Sequence, residues 1–508
     1  MVLCENCALH WVKLKIRQDA LMRAALDDVA NLVSTFFVGS NYVFSDILAG
    51  LLLVVHSPNN QYPPTIKDER VPPTWMNLSS AKHFMRLATF VYGWPIYLAL
   101  NRSVSAYGRL FRKVRCCGSM RCDQFCHGRH HTVVERKDSR DPSTKKMRQE
   151  ARAAIPVTVR ADGAKKFDIE NSRGPEVTLG TGVLIVEDNC CLCNTAAFVL
   201  STEGLHVDLF FVSFRNSLYQ VPFVVLADHD SESIVITIRG SCSLSDLITD
   251  LCLDDEVLSV DVDADPVLRA DHSLDSPDGS EVRVHRGMLR SARYVFDTLR
   301  NQKVLEDMFV LNPTYNLVIT GHSLGAGVAS LLTLLVKQKY PSVRCFAFAP
   351  PGCVISENGQ REMEQHVMSI VPGDDVVPRI SYHSMHKLRE NVENELRQTT
   401  RAKYEIVLQD AVGTIVTIRE CFACVHVGYG WIDSLYAPGR LLYVTEDDEI
   451  VKKEWIDPKC LSEVKLTASA FTDHLPKRVM TLLERLVLSE EMGNDGGDPP
   501  EAIVLLPD

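Results

Sequence analysis

Leu317-Val318-Ile319-Thr320-Gly321-His322-Ser323-Leu324-Gly325-Ala326-Gly327 decides how this chain is read. A strand-like run, Leu317–Thr320, passes into Gly-His-Ser-Leu-Gly, and a helical stretch rich in Ala, Leu and Val follows over Leu324–Lys339. A serine at such a strand-to-helix turn is held in strained backbone, with its hydroxyl raised at the carboxyl edge of the sheet. Gly321 and Gly325 stand where a Cβ would clash, and Ala326 and Gly327 permit close packing. The helix N-terminus favours negative charge beside the hydroxyl. Ser323 is therefore the candidate nucleophile.

Outward from this turn, short apolar runs alternate with longer helical stretches. Strands are expected at Leu209–Phe214, Pro222–Ala227, Ser233–Ile238, Asn316–Thr320, Val343–Ala349, Gln365–Val371, Tyr404–Leu408 and Arg440–Val444. Helices are expected at Met288–Lys303, Leu324–Lys339 and Lys477–Leu488. This alternation implies an α/β fold with a mainly parallel sheet and flanking helices.

A serine hydroxyl needs a base, and the base needs an orienting carboxylate. The apolar run ending at Val371 leads into Pro372-Gly373-Asp374-Asp375-Val376-Val377-Pro378-Arg379, where a tight turn past a strand end offers two carboxylates. Spacing alone does not separate Asp374 from Asp375. Four histidines follow. His383 and His386 come too soon, and His426 sits in an apolar, Cys-flanked stretch. His474, in Thr472-Asp473-His474-Leu475-Pro476, lies on a loop just before the last helix and is the candidate base. The oxyanion formed during acyl transfer needs backbone donors. Leu324 supplies one N–H, and the strand Ile234–Ile238, ending in Arg239-Gly240-Ser241, offers a second at Ser241.

Upstream, residues 1–130 read as a helical, Cys/His-containing region, 131–176 as a charged linker, 177–490 as the α/β domain and 491–508 as a tail. Asp19–Phe37 carries apolar residues at helical spacing, and a second apolar helix is expected around Met85–Leu98. A net charge of −11 argues against a nucleic-acid partner, which needs a basic surface. Sixteen cysteines in 508 residues are too dilute for a disulfide scaffold and fit a reduced, cytosolic setting. Glu5, His10 and Lys13 interrupt any secretory signal. No run reaches the ~18–20 apolar residues of a membrane span. Ile47–Val55 and Leu87–Leu100 are expected as buried core helices, with an interfacial role as the alternative.

Together these segments resemble the α/β-hydrolase domain of the class 3 lipases, and more narrowly the sn-1-specific diacylglycerol lipases. The resemblance rests on Val235–Ser241 with Leu244-Ser245-Asp246 and Thr249-Asp250-Leu251, on His285-Arg286-Gly287-Met288, and on Gly321–Gly327. It continues through Cys345–Gly352, Asp375–Arg379 and Asp473-His474-Leu475-Pro476, and upstream to Asn189–Asn194, Tyr92-Gly93-Trp94-Pro95 and Ser45–Leu51. Carried over position by position, it places the triad on Ser323, Asp375 and His474 and the oxyanion segment at Ser241. It implies hydrolysis of the sn-1 ester of diacylglycerol to a fatty acid and a 2-monoacylglycerol, including the endocannabinoid 2-arachidonoylglycerol. It also implies a membrane-lipid substrate, a membrane surface as partner, a catalytic domain facing the cytoplasm, no organic cofactor, and stimulation by Ca2+. Family members begin with a four-helix transmembrane bundle, which this chain lacks, as a truncated form or an incomplete gene model would. The long tail of the larger type is missing as well, so the shorter, beta-like type is the nearer match. A triacylglycerol or phospholipid lipase, or a catalytically silent regulator, are the alternative readings.

Three further features stay open. Gln409–Pro438 reads as an insertion, either a regulatory lid or an ordinary surface excursion. Asp254, Asp255, Glu256, Asp261, Asp263 and Asp265 are expected as a solvated acidic loop, since their spacing fits no EF-hand. Cys116, Cys117, Cys122, Cys126, His127, His130 and His131 suit zinc, acylation or unmodified thiols.

Overall fold

Phe223–Asp228 and Ser233–Ile238 bury every residue, as strands covered on both faces must. The fold is seen in a computed structural model that describes residues 44–57, 66–113, 183–188, 192–241, 255–258, 281–402, 404–406, 435–447, 450–467 and 469–494. Its strands, in chain order, are β1 (Leu184–Ile185), β2 (Val207–Ser213), β3 (Phe223–Asp228), β4 (Ser233–Ile238), β5 (Asp255–Val257), β6 (Arg283–His285) and β7 (Asn316–His322). They continue with β8 (Arg344–Phe348), β9 (Ile355–Ser356), β10 (Val367–Pro372), β11 (Leu435–Tyr436), β12 (Arg440–Asp447) and β13 (Ile450–Ile456). Nine form one sheet in the order β1-β2-β3-β4-β7-β8-β10-β12-β13. Pairing is parallel from β4 through β7, β8 and β10 to β12, and antiparallel at β2–β3, β3–β4 and β12–β13. A small second sheet runs β11-β9-β6-β5. The mainly parallel sheet with flanking helices is the α/β class expected from the alternation of apolar runs.

One face of the sheet is covered by the helices Arg286–Asn301 and Leu324–Val336, the second of which is buried at every residue. The other face takes Leu78–Phe90 and the last helix, Pro476–Asn494, whose Val479, Leu482, Leu483 and Leu486 share a core with Phe346, Phe348 and Ile370. Leu78–Phe90 begins at Asn77, whose side chain accepts from the Ser80 N–H. Its Phe84 stacks on Phe346 at 4.8 Å, and Trp75 meets the same ring edge-on at 5.4 Å. Residues upstream of 177 thus contribute directly to the core of the sheet. Buried Arg440 holds this segment at the sheet edge, bonding Asp68 Oδ2 at 2.9 Å and the Val71 carbonyl at 3.0 Å.

Two expected elements differ. The apolar stretch around Met85–Leu98 is two helices, Leu78–Phe90 and Trp94–Leu100, because Gly93 turns the chain at φ 75° and Pro95 opens the second. Tyr404–Ile406, expected within a strand, is helical. The Ala402 carbonyl accepts from both Glu405 and Ile406 N–H groups, and Ile406 is buried beside the helix Phe44–His56. Its apolar side chain is thereby satisfied between helices rather than in a sheet. Phe44–His56 contains the run Ile47–Val55 and packs on Tyr382–Gln398 so closely that a Cβ on Gly50 would lie 2.6 Å from Val392. Among the described residues no helix is long and apolar enough to cross a membrane. Asp19–Phe37, the charged linker, the cluster Cys116–His131, Cys190 and Cys191, and most of the insertion after Gln409 lie outside the described residues.

The turn between β7 and Leu324–Val336 leaves no room for side chains. A Cβ on Gly321 would sit 2.3 Å from the Gly325 carbonyl oxygen, and one on Gly325 would sit 2.4 Å from that of Ile238. Both obstacles are backbone, so a methyl group must displace a strand or the helix. Gly325→Ala is expected to lose about 1–3 kcal/mol of stability, as overpacked cores do. Urea denaturation checks this, and an unchanged midpoint would mean that the strand end yields freely.

Candidate active site

β4, β7, β8 and β10 run parallel, so their carboxyl ends meet along one edge of the sheet, where ligands bind in open α/β folds. Ser323 follows the last residue of β7 and caps Leu324–Val336 with φ 60° and ψ −132°. Few non-glycine residues adopt such backbone, and it costs about 1–3 kcal/mol where it occurs. The strain is sustained by the Ser323 N–H, which donates to the Phe348 carbonyl at the end of β8 at 2.9 Å, and by the two glycine contacts. Ser323 is 8% exposed.

Asp375 stands on the turn after β10, where its N–H donates to the Pro372 carbonyl at 3.1 Å. His474 lies on the turn that precedes Pro476–Asn494. The structure brings these distant groups together. His474 Nε2 is 2.8 Å from Ser323 Oγ, and His474 Nδ1 is 2.9 Å from Asp375 Oδ2. The second Asp375 oxygen accepts the Val377 N–H at 2.9 Å. Burial of Asp375 raises its carboxyl above the ordinary carboxylate range; His474, the Val377 N–H and Arg379 pull the other way. Asp374, which spacing could not separate from Asp375, turns to Lys465 Nζ at 3.4 Å. Burial and then the charge of Arg379 push Lys465 down to about 8.

The turn bearing the acid and the loop bearing His474 are tied to each other. Asp473 accepts the Asp374 N–H at 2.9 Å and pairs with Arg478 at 3.3 Å. A Cβ on Gly373, at φ 42°, would strike Asp473 Oδ2 at 2.3 Å. On the opposite side, a Cβ on Gly240 would lie 3.2 Å from Ser323 Cβ, so the end of β4 abuts the serine and Ser241 follows immediately. Leu324 opens the helix directly after Ser323. The remaining histidines considered as bases fall elsewhere: His383 and His386 are exposed on Tyr382–Gln398, and His426 lies outside the described residues.

Sequence reasoning missed the role of Tyr92 and His322 in this environment. Tyr92 Oη is 2.9 Å from His322 Nδ1, and His322 Nε2 is 2.8 Å from the His474 carbonyl oxygen. His322 was visible only as the variable position of the serine motif, and Tyr92 only as part of a distant likeness. Of the acidic loop, Asp255 pairs with Arg283, and Glu256 pairs with Arg293 at 2.7 Å. Those two carboxylates are already neutralised. Among the described residues no group of three or more His, Cys, Asp or Glu side chains is placed to hold a metal ion.

The model of the family described as Lipase (class 3) matches residues 235–406. Diacylglycerol lipase-alpha of Mus musculus is 26% identical over 92% of this chain and 44% of its own length. Diacylglycerol lipase-beta of Mus musculus is 28% identical over 77% of the chain and 49% of its own length. The chain thus spans about half the length of these curated relatives. A secreted mono- and diacylglycerol lipase A of Penicillium cyclopium is 31% identical over 25% of the chain and 35% of its own length. Among solved structures, a Rhizomucor miehei lipase propeptide complex aligns over 54% of this chain and 69% of its own at 19% identity, with a TM-score of 0.34. The resemblance to diacylglycerol lipases and the class 3 lipase family is borne out by the family match and by the two mouse relatives.

Proposed function

From a chain with a class 3 lipase segment at residues 235–406, we propose a serine lipase that hydrolyses the sn-1 ester of diacylglycerol. The observation that carries this reading is the continuous chain of hydrogen bonds from Ser323 Oγ through His474 to Asp375. His474 Nε2 accepts the Ser323 proton as Oγ attacks the ester carbonyl. The N–H groups of Leu324 and Ser241 receive the oxyanion. Collapse breaks the ester bond, and His474 returns the proton to the leaving glycerol oxygen, releasing 2-monoacylglycerol. Water, deprotonated by His474, then attacks the acyl-serine and frees the fatty acid. Asp375 holds His474 with Nδ1 protonated throughout and stabilises its positive form.

The similarity to diacylglycerol lipases supports the substrate class. With an arachidonoyl chain at sn-2 the product is 2-arachidonoylglycerol. Such a substrate resides in membrane, so the enzyme works at a membrane surface; the family resemblance puts its catalytic domain on the cytoplasmic side. Among the described residues no three or more His, Cys, Asp or Glu side chains cluster to hold an ion, and no step here runs through calcium.

The test uses mixed micelles of diacylglycerol carrying different labels at sn-1 and sn-2. Release of the sn-1 acid with a labelled 2-monoacylglycerol is the expected result. Faster release from triacylglycerol or phospholipid, or initial loss of the sn-2 chain, would replace this substrate with another.

A further inference from the structure

His322 and Tyr92 are buried behind the reacting groups, and no step of the proposed reaction consumes them. Their hydrogen bonds have only one consistent assignment. His322 Nε2 faces a carbonyl, that of His474 at 2.8 Å, so it carries the hydrogen and donates. In a neutral ring Nδ1 is then the acceptor, and it takes the Tyr92 hydroxyl proton at 2.9 Å. We propose that Tyr92 and His322 are positioning residues, which hold the main chain of His474 so that its imidazole stays aligned between Ser323 and Asp375. The inference rests on the serine-hydrolase reading above.

Three observations support it. First, the Tyr92 hydroxyl is inserted between the end of β4 and the serine turn. A Cβ on Gly240 would meet it at 2.2 Å and the His322 carbonyl oxygen at 2.4 Å, so the chain reserves this space for the tyrosine. Second, Tyr92 is anchored from behind. It precedes Gly93, whose positive φ turns the chain and where a Cβ would strike Asn194 Oδ1 at 2.4 Å. Asn194 is itself fixed by donating to Asp188 at 2.8 Å. Third, the His322 and His474 rings lie 4.8 Å apart. Burial, and then the neighbouring His474, hold His322 well below its ordinary range, so it remains neutral. A charged His322 would oppose the imidazolium that His474 becomes on accepting the Ser323 proton. A neutral partner fixes the backbone without that penalty. Tyr92 also lies outside residues 235–406, so the matched segment does not contain the whole positioning apparatus.

The test compares the full chain with Tyr92→Phe, His322→Leu and His322→Gln. Each is measured for hydrolysis of a water-soluble p-nitrophenyl ester, for the rate of fluorophosphonate labelling, and for thermal midpoint. Displacement of a catalytic group by about 1 Å costs up to ~100-fold. Tyr92→Phe is expected to lower kcat about tenfold and His322→Leu about 100-fold, with KM little changed in either. The glutamine amide can still donate to the His474 carbonyl, so His322→Gln should recover much of the loss without a higher thermal midpoint than His322→Leu. Wild-type kcat in both Tyr92→Phe and His322→Leu would overturn the inference, as would equal losses in the leucine and glutamine variants that follow their midpoints. Failure of the wild-type chain to label at all is a separate outcome, which sinks the hydrolase reading and the inference with it.

Discussion

Ser323→Ala is expected to abolish fluorophosphonate labelling and to lower hydrolysis of diacylglycerol by roughly 10⁶-fold, the scale on which removal of a triad nucleophile acts. No neighbouring hydroxyl stands on this turn to take its place, because the turn that raises Ser323 at φ 60° is one residue wide and its flanking glycines are hemmed in by backbone. The substitution removes one oxygen from a residue already held by the Phe348 carbonyl, so the fold should be retained. Mass spectrometry of the probe adduct, beside circular dichroism of both proteins, checks the result. Persistent labelling in Ser323→Ala would place the nucleophile elsewhere.

Asp375→Asn is expected to lower hydrolysis by about 10⁴-fold with KM nearly unchanged, by inverting a hydrogen bond. Two donors converge on this carboxylate, the Val377 N–H and His474 Nδ1. An amide has a single oxygen. If that oxygen stays with Val377, the amide NH2 faces Nδ1 and forces the ring proton onto Nε2. His474 then has no lone pair to accept from Ser323. The stability effect has the opposite sign. Burial raises the Asp375 carboxyl, so its charged form is disfavoured in the folded protein at neutral pH, and a neutral amide removes that cost. Steady-state kinetics with thermal denaturation at pH 7 decides the matter. Equal losses of activity and stability would assign Asp375 a merely structural role.

Much of this site is legible in the sequence alone. Gly321-His322-Ser323-Leu324-Gly325 carries its own context, because a strand, a tight turn and a small-residue helix are local properties that neighbouring residues dictate. The strand Ser233–Ile238 coincides with β4. The expected helices Met288–Lys303 and Leu324–Lys339 correspond to Arg286–Asn301 and Leu324–Val336. Their apolar residues face a buried sheet, so periodicity and packing agree. Tyr404–Leu408 misled because a short apolar run is compatible with a strand or with a helical turn. The choice there fell to Ile406 and its neighbours in the helix Phe44–His56. Met85–Leu98 misled for a different reason: a single glycine at positive φ ended one helix and began another.

The sequence by itself determined the α/β class, the position of Ser323 and a short choice of partners, since each follows from residue type and spacing over a few turns of chain. Residue type and spacing left Asp374 beside Asp375, and the family resemblance favoured Asp375; the tertiary structure supplies the physical distinction, the direction each side chain takes, toward His474 or toward Lys465. Only the tertiary structure joined Tyr92 and His322 to His474, across separations of 230 and 152 residues along the chain. A hydrogen bond needs its two atoms within about 3 Å, and no local pattern records which distant strand ends and turns a sheet will bring that close.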